Sequence, residues 1–273
     1  MINVLMCGNS YVFKGWLLTT LSMVKHTKAP INMYFFTMDL TDVEKKFTPI
    51  NQEQVDYIEK ILKDTNSESR VFLFDLTKIF KEEMIDSVNL KNHFTPYSML
   101  RLFADSVLEI PEKIIYLDTD TMINNDLAEL YDVDIEDYEV ACVKDAFNWA
   151  SPSRWTKLFS YFNAGVLLLN MKKIRETKMF VKARKLCHDK KMLYMDQDAL
   201  NKSVKYKKML PLKFNAKDKY FSDIVVHHFC NVRKKNNWFH RIKPWEVDLV
   251  REKMTAYNDI LADYEKRISE LVL

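Results

Sequence analysis

Short apolar runs alternate with amphipathic stretches along most of this chain. Residues 2–7 (INVLMC), 31–36 (INMYFF), 71–76 (VFLFDL), 113–118 (KIIYLD), 139–145 (EVACVKD), 162–170 (FNAGVLLLN) and 224–229 (IVVHHF) read as strands. Uninterrupted apolar character over so short a span suits strands covered on both faces. Between them, 11–26 and 51–64 carry apolar residues at helical spacing, the second with Val55, Ile58, Ile61 and Leu62 on one face. A helix is predicted over 96–108 behind the start signal Thr95-Pro96, and others over 171–189 and 246–273. In the last, Val247, Val250, Met254, Tyr257, Ile260, Leu261 and Tyr264 share roughly one face. Strand and helix alternate through the first half, which predicts an α/β fold with a mostly parallel central sheet. The simplest division is one domain over 1–245 and a helical tail over 246–273.

The strongest local signal is the end of the fourth strand, Ile114-Ile115-Tyr116-Leu117-Asp118-Thr119-Asp120. Ligands of α/β sheets bind beyond the carboxyl ends of the strands. Two carboxylates there repel each other unless a cation lies between them, and a hard cation prefers oxygen ligands. A solvated surface turn is the plainer alternative. A third reading uses the same string: Asp118-Thr119-Asp120-Thr121 resembles the nucleophile motif of haloacid dehalogenase-like phosphatases, with Asp118 attacking phosphorus. That family carries its motif near the start of the core domain, whereas here a long α/β stretch precedes it.

Composition sharpens the picture. The 273 residues include only three glycines, Gly8, Gly15 and Gly165, which excludes a dinucleotide fingerprint and a P-loop. A bound phosphate therefore needs another source of positive charge, and a metal is the obvious one. Cys7, Cys142, Cys187 and Cys230 are scattered, so no zinc cluster or redox pair is expected, and a reducing cytoplasm fits. The start of the chain lacks the pattern of a signal peptide, and no apolar run reaches the roughly 18 residues of a membrane span. From Met171 to Trp245 there are 21 Lys and Arg against 6 Asp and Glu, a net of +15, which leaves −12 for the rest of a chain whose total is +3. Such a segment either attracts an anionic surface or substrate or is simply solvated.

Four further motifs follow in order. Tyr161-Phe162-Asn163-Ala164-Gly165 offers an amide beside a scarce glycine that permits close approach. Asp196-Gln197-Asp198 gathers hydrogen-bonding groups suited to sugar hydroxyls, or is an ordinary acidic helix start. His227 and His228 leave opposite faces of one strand, so only one can join a carboxylate site, and two Asp with one His favour Mn²⁺ over Mg²⁺ or Ca²⁺. Lys243-Pro244-Trp245 offers a phosphate-binding lysine and an aromatic wall.

Taken in order, YLDTD, YFNAG, DQDALN, HHF and KPW over residues 1–245 resemble glycosyltransferase family 8, which includes bacterial lipopolysaccharide galactosyl- and glucosyltransferases and, more distantly, glycogenin. The resemblance implies a GT-A type, Rossmann-like nucleotide-sugar-binding fold. It also implies a retaining hexosyl transfer of galactose or glucose from a UDP-sugar donor to a glycan or glycolipid acceptor, with Mn²⁺ as cofactor and Mg²⁺ as second choice. By the same likeness Asp118, Asp120 and His228 are the metal ligands, and Tyr11 stacks on uracil. Arg101 approaches the donor sugar and diphosphate, Lys243 binds the diphosphate, and Asp145, Asn163, Asp196 and Gln197 surround the transferred sugar. The family's uracil-binding Asp after the first strand is replaced here by Cys7-Gly8-Asn9-Ser10, so Asn9 inherits that place and uridine selectivity is in doubt. The segment between His228 and Lys243 is long, and Arg233, Lys234 or Lys235 stands as a substitute for Lys243. Gln197 stands where a nucleophile would sit, but an amide oxygen is a poor one, so same-face substitution is the family's usual assignment. The expected setting is cytoplasmic, peripheral to an anionic membrane face, with no nucleic-acid partner. The phosphatase and a non-catalytic sugar-nucleotide binding module remain as alternatives.

Overall fold

The computed structural model describes residues 1–92, 94–145, 161–217, 220–230, 232–234, 237–240 and 242–271, with the side chains of 232–234 and 237–240 left aside. Its elements are β1 Ile2–Cys7, α1 Phe13–His26, β2 Ile31–Thr37, α2 Gln52–Thr65, β3 Arg70–Asp75, α3 Thr77–Met84, β4 Lys113–Leu117, β5 Thr121–Ile123, α4 Ala128–Tyr131, β6 Val140–Lys144 and β7 Phe162–Asn170. They continue as α5 Met171–Thr177, α6 Met179–Asp189, α7 Met195–Ser203, β8 Lys207–Leu210, β9 Val226–His228, β10 Val232–Lys234, β11 Asn237–His240, α8 Val247–Lys253 and α9 Asn258–Glu270.

The central sheet runs β3-β2-β1-β4-β7-β6-β8. Strands β3, β2, β1 and β4 are mutually parallel, β7 runs against both β4 and β6, and β8 is parallel to β6. The sheet is thus mostly parallel, as the strand–helix alternation predicts. Period-two alternation feeds two cores. One face carries Val4, Met6, Met33, Phe35, Ile115 and Leu117 against Trp16 and Leu17 of α1, Val55 and Ile58 of α2, and Ile260, Leu261 and Tyr264 of α9. The other carries Leu5, Tyr34, Phe36, Ile114 and Tyr116 against Phe80 of α3, Leu100, Leu102 and Phe103, and Phe180 and Ala183 of α6. Each such side chain contributes about 1.5–3 kcal/mol on full burial, so α9 is held to α1 by a substantial apolar contact.

Three helix expectations change. Residues 96–108 give a 3-10 segment over Pro96–Phe103, started by Thr95, whose hydroxyl accepts from the Tyr97 N–H. Every residue from Met99 to Ala104 is buried, so packing rather than helix propensity sets its winding. The 171–189 helix breaks at Lys178, which sits in the left-handed region at φ 55°, ψ 36°. The apolar step from Ile174 to Met179 is five residues, which one continuous helix cannot keep on one face. The 246–273 stretch is α8, a 3-10 turn over Thr255–Tyr257, and α9. The 224–229 run pairs not with the main sheet but with β5, antiparallel, setting Thr121 opposite His228 and Met122 opposite His227.

Candidate functional site

The site begins where β4 runs out. Asp118 N–H donates to the Gly165 carbonyl at 2.8 Å, Thr121 Oγ1 donates to the Asp118 carbonyl at 2.9 Å, and Phe229 N–H donates to the Asp120 carbonyl at 2.8 Å. The acidic turn is therefore pinned by β7 on one side and by the chain leaving β9 on the other. Register then brings in His228. Its Nε2 lies 3.2 Å from Asp120 Oδ1 and 3.6 Å from Asp118 Oδ2. Ligand atoms of Asp118, Asp120 and His228 all fall within 4.8 Å of one another, the single such cluster among the described residues. His227 points the other way: fully buried, with Nδ1 2.6 Å from the Tyr257 hydroxyl and its ring against Phe229 and Tyr257. Burial, with the neighbouring His228 charge, pushes His227 down to about 4, so it is a neutral core group.

Gly165 floors this cluster. A Cβ there would lie 2.1 Å from His228 Cε1 and 2.7 Å from Asp118 Oδ2. A hydrogen at this position is what lets the imidazole and carboxylate converge, and two carboxylates with an imidazole suit a divalent cation. We predict that Gly165→Ala keeps the fold but weakens binding of a divalent cation, with Mn²⁺ as the probe, by on the order of 10–100-fold, as loss of ligand orientation does. Titration of the free ion by electron paramagnetic resonance measures this, and wild-type affinity in the variant would refute the packing argument.

The charges around the cluster are linked. Lys243 Nζ donates to Asp120 Oδ2, and Lys243 is half-buried against Trp245. Burial tends to raise the Asp120 carboxyl, but Lys243 and His228 outweigh it and hold it well below the usual carboxylate range. Burial also disfavours a charged His228, yet Cys230 and Asp120 overcome this and push the imidazole up to about 10 in the metal-free protein. Arg101 is buried under the turn: Nη2 donates to Asp118 Oδ1 at 2.8 Å, Nη1 to the Ala164 carbonyl at 2.5 Å and Nε to the Ser98 carbonyl at 2.9 Å. It also lies 3.1 Å from Asp196 Oδ2 and stacks 4.0 Å over the Tyr116 ring. The Tyr116 hydroxyl donates to the same Asp118 oxygen at 2.7 Å. Burial raises the Asp196 carboxyl, and Arg101 only partly offsets it.

Beside this lies a second polar group. Gln197 Nε2 donates to Asp145 Oδ2 at 3.1 Å and to the Tyr161 hydroxyl at 3.2 Å. Its Oε1 accepts from Asn163 Nδ2 and from the Ala164 N–H, both at 3.0 Å. Asp145 also holds Lys217 Nζ at 2.7 Å. Asp118, Asp120, Asp145, Asn163, Asp196, Gln197, His228, Lys243 and Arg101 thus form one continuous region. Asn9 is buried, with Nδ2 donating to the Lys46 carbonyl at 3.3 Å, and Tyr11 is 78% exposed on the turn after β1, the strand beside β4. Neither touches the carboxylate cluster. Lys235 lies outside the described residues, as do the side chains of Arg233 and Lys234. Tyr161, Lys217, Tyr116 and Asn215 join the site although no motif singled them out as site residues. Tyr161 and Tyr116 stand inside the YFNAG and YLDTD motifs, but Asn215 and Lys217 lie in PLKFNAK, which carries no periodic signal.

Residues 3–248 match the family model described as Glycosyl transferase family 8. The chain belongs to glycosyltransferase family 8. It is similar to a Haemophilus influenzae protein provisionally named a glycosyltransferase, 29% identical over 85% of this chain and 72% of that one. It is also similar to the glycosyltransferase GlyF of Streptococcus pneumoniae, 26% identical over 63% of this chain and 37% of that one, and to the lipopolysaccharide 1,2-glucosyltransferase of Escherichia coli K12, 25% identical over 63% of this chain and 61% of that one. The chain therefore spans less than two thirds of two of these relatives. Among solved structures, the galactosyltransferase LgtC in complex with donor and acceptor sugar analogues superposes with a TM-score of 0.72 at 17% identity, over 96% of each chain. The likeness at that identity is one of fold, and the family 8 chain has the GT-A-like α/β architecture. It is a glycosyltransferase, and a transferase rather than the phosphatase that Asp118-Thr119-Asp120-Thr121 also suggested. Enzymes of this fold commonly use a divalent metal, and this one carries an acidic cluster able to hold it. Among the described residues no helix is long and apolar enough to cross a membrane.

Proposed function

We propose that this family 8 enzyme transfers a hexose, galactose or glucose, from a UDP-sugar to a glycan or glycolipid acceptor with retention of configuration, using Mn²⁺. The observation that carries the reading is the convergence of Asp118, Asp120 and His228 within 4.8 Å over a glycine. These three residues would hold the cation, which supplies Lewis-acid stabilisation to the departing diphosphate. Lys243 already lies against Asp120 and can offer its ammonium to the same phosphate oxygens. Arg101 keeps Asp118 and Asp196 in place from below rather than reaching out with a free guanidinium.

Transfer breaks the bond between the sugar C1 and the phosphate oxygen and makes one from C1 to the acceptor oxygen. The acceptor proton passes to the departing phosphate. Gln197 supports the same-face route: both acceptor positions of its Oε1 are engaged by Asn163 and Ala164, so it holds the floor of the sugar pocket instead of attacking C1. One solved LgtC structure is of an active-site mutant with glutamate in place of glutamine, so that enzyme too has a glutamine in its active site. Asp145, Asn163 and Asp196 frame the hexose, Tyr11 offers a ring to the uracil from the rim, and Asn9 stands at its edge.

The deciding experiment incubates the protein with Mn²⁺ and a panel of UDP-hexoses and follows UDP release. One or two hexoses are expected to give UDP, and EDTA to abolish it with recovery on adding Mn²⁺. Turnover unaffected by EDTA would sink the metal reading, and no turnover of any UDP-sugar would sink the donor. The Lys-rich span from Met171 to Trp245 favours an acceptor at an anionic membrane face inside the cytoplasm. Flotation with phosphatidylglycerol vesicles, compared with neutral ones, tests that.

A further inference from the structure

Asn215 follows the 3-10 turn Leu212–Phe214 and is completely buried. Its backbone is fixed by neighbours on both sides. Its own N–H donates to the Leu212 carbonyl at 3.0 Å, and Ala216 bridges to β9, its N–H donating to the Val226 carbonyl at 3.0 Å and its carbonyl accepting from the His228 N–H at 2.7 Å. The side chain spans two parts of the site. Nδ2 donates to Asn163 Oδ1 at 2.9 Å, and Oδ1 lies 3.1 Å from His228 Nδ1.

We propose that Asn215 is a positioning residue that sets the ring tautomer of His228 and couples the cation site to the sugar pocket. The inference rests on the metal reading above. The orientation of every amide in the chain of contacts follows from backbone groups whose roles are not in question. The Ala164 N–H can only donate, so the atom it meets is Gln197 Oε1. The Gly165 N–H can only donate, at 3.0 Å, so the atom it meets is Asn163 Oδ1, which leaves Asn163 Nδ2 facing Gln197. The amide atom of Asn215 that reaches Asn163 Oδ1 must then be its nitrogen, and the atom facing His228 must be its oxygen. A carbonyl oxygen needs a donor, so His228 carries a proton on Nδ1. In the neutral ring the lone pair is left on Nε2, the nitrogen facing Asp118 and Asp120. That is the ligand form a metal requires, and a fixed hydrogen bond on the other ring nitrogen is the usual way of securing it. The same amide ends on Asn163, which holds Gln197. A shift of His228 on taking up a cation is thereby transmitted to the groups around the hexose.

Mn²⁺ binding to the whole chain without any sugar nucleotide tests this, by electron paramagnetic resonance of the free ion. Asn215→Ala should weaken Mn²⁺ binding about 10–100-fold. Asn215→Asp keeps an oxygen toward His228 Nδ1 but sets a second oxygen against Asn163 Oδ1. It should bind Mn²⁺ much as wild type does and lose kcat on the donor. Nitrogen-15 spectra of labelled histidine with Mg²⁺ or Zn²⁺ bound should show the His228 proton on Nδ1 in wild type. Finding it on Nε2, or finding Asn215→Ala with wild-type Mn²⁺ affinity, overturns the proposal and leaves the metal reading standing. A wild-type protein that binds no Mn²⁺ overturns both. If Asn215→Ala does not fold, the wild-type spectrum and the Asp variant decide between the same outcomes.

Discussion

Asp120→Asn is expected to remove Mn²⁺-dependent UDP binding and to lower kcat/KM by about 10³-fold or more, the several kcal/mol that a metal ligand's charge supplies at a phosphate site. The chain should stay folded, because the Asp120 backbone is held by Phe229 and the amide of the variant keeps an acceptor oxygen for Lys243. Asp118→Asn should be as damaging to binding but costlier to stability. Its carboxylate is one of two that neutralise the buried Arg101, and it also takes the Tyr116 hydroxyl. Breaking such a buried pair costs roughly 3–5 kcal/mol in unfavourable cases, and less at Asp118 since the amide retains an acceptor oxygen. Calorimetry of UDP with Mn²⁺, beside a thermal melt, separates the two variants. If UDP with Mn²⁺ bound either one as tightly as wild type, the ligand assignment would be wrong.

The two adjacent histidines should behave as opposites. His228→Ala is expected to lose most Mn²⁺-dependent UDP binding, since its Nε2 is the nitrogen 3.2 Å from Asp120. His227→Ala should leave Mn²⁺ affinity near wild type and lower the melting temperature instead. It removes the 2.6 Å contact with the Tyr257 hydroxyl and opens a hole among Phe229 and Tyr257. A loss of about 2–4 kcal/mol is the usual scale for such buried truncations. Measuring Mn²⁺ affinity and unfolding for both variants checks the pair, and an exchange of phenotypes would mean that β9 is read one residue out of register.

The carboxylate turn was legible because a strand buried on both faces ends abruptly in acids, and burial on both faces leaves a continuous apolar run that needs no tertiary information to notice. The facing of His227 and His228 was legible only as an either-or from strand alternation, and the resemblance to the family chose His228. The ribbon of β5 and β9 that presents His228 was not legible, since Thr121–Ile123 is three residues long and its partner lies about a hundred positions away. Lys178 was missed for a different reason: a lysine gives no hint of a left-handed φ, and only the awkward spacing around it did. Asn215 could not have been found by pattern, because its importance lies in which atoms meet its two ends, and that is decided by three separate segments of chain. The resemblance named Arg101, but its contacts with Asp118, Asp196 and the Ala164 carbonyl are a matter of rotamer, which residue type does not reveal.

One contact bears on how the enzyme is made. A Cβ on Gly15 would strike the Thr119 carbonyl at 2.3 Å and the Trp245 ring at 2.6 Å. Helix α1 therefore leans directly on the acidic turn and is itself clamped by an indole some 230 residues further along. Farther out, Lys25 of α1 meets Asp259 of α9. A ribosome adds about 5–20 residues each second, so the first helix waits roughly ten to fifty seconds for its last neighbours. During that interval Trp16 and Leu17 have β1 and β2 to rest on but not α9, and His228 has not yet been made when the acidic turn emerges. The nascent chain can build half of its sheet early, yet the cluster of Asp118, Asp120 and His228 is complete only once the late segment arrives. In this fold the acidic turn is made long before the segment that completes its surroundings, and the face of α1 that packs on α9 stays uncovered over that interval.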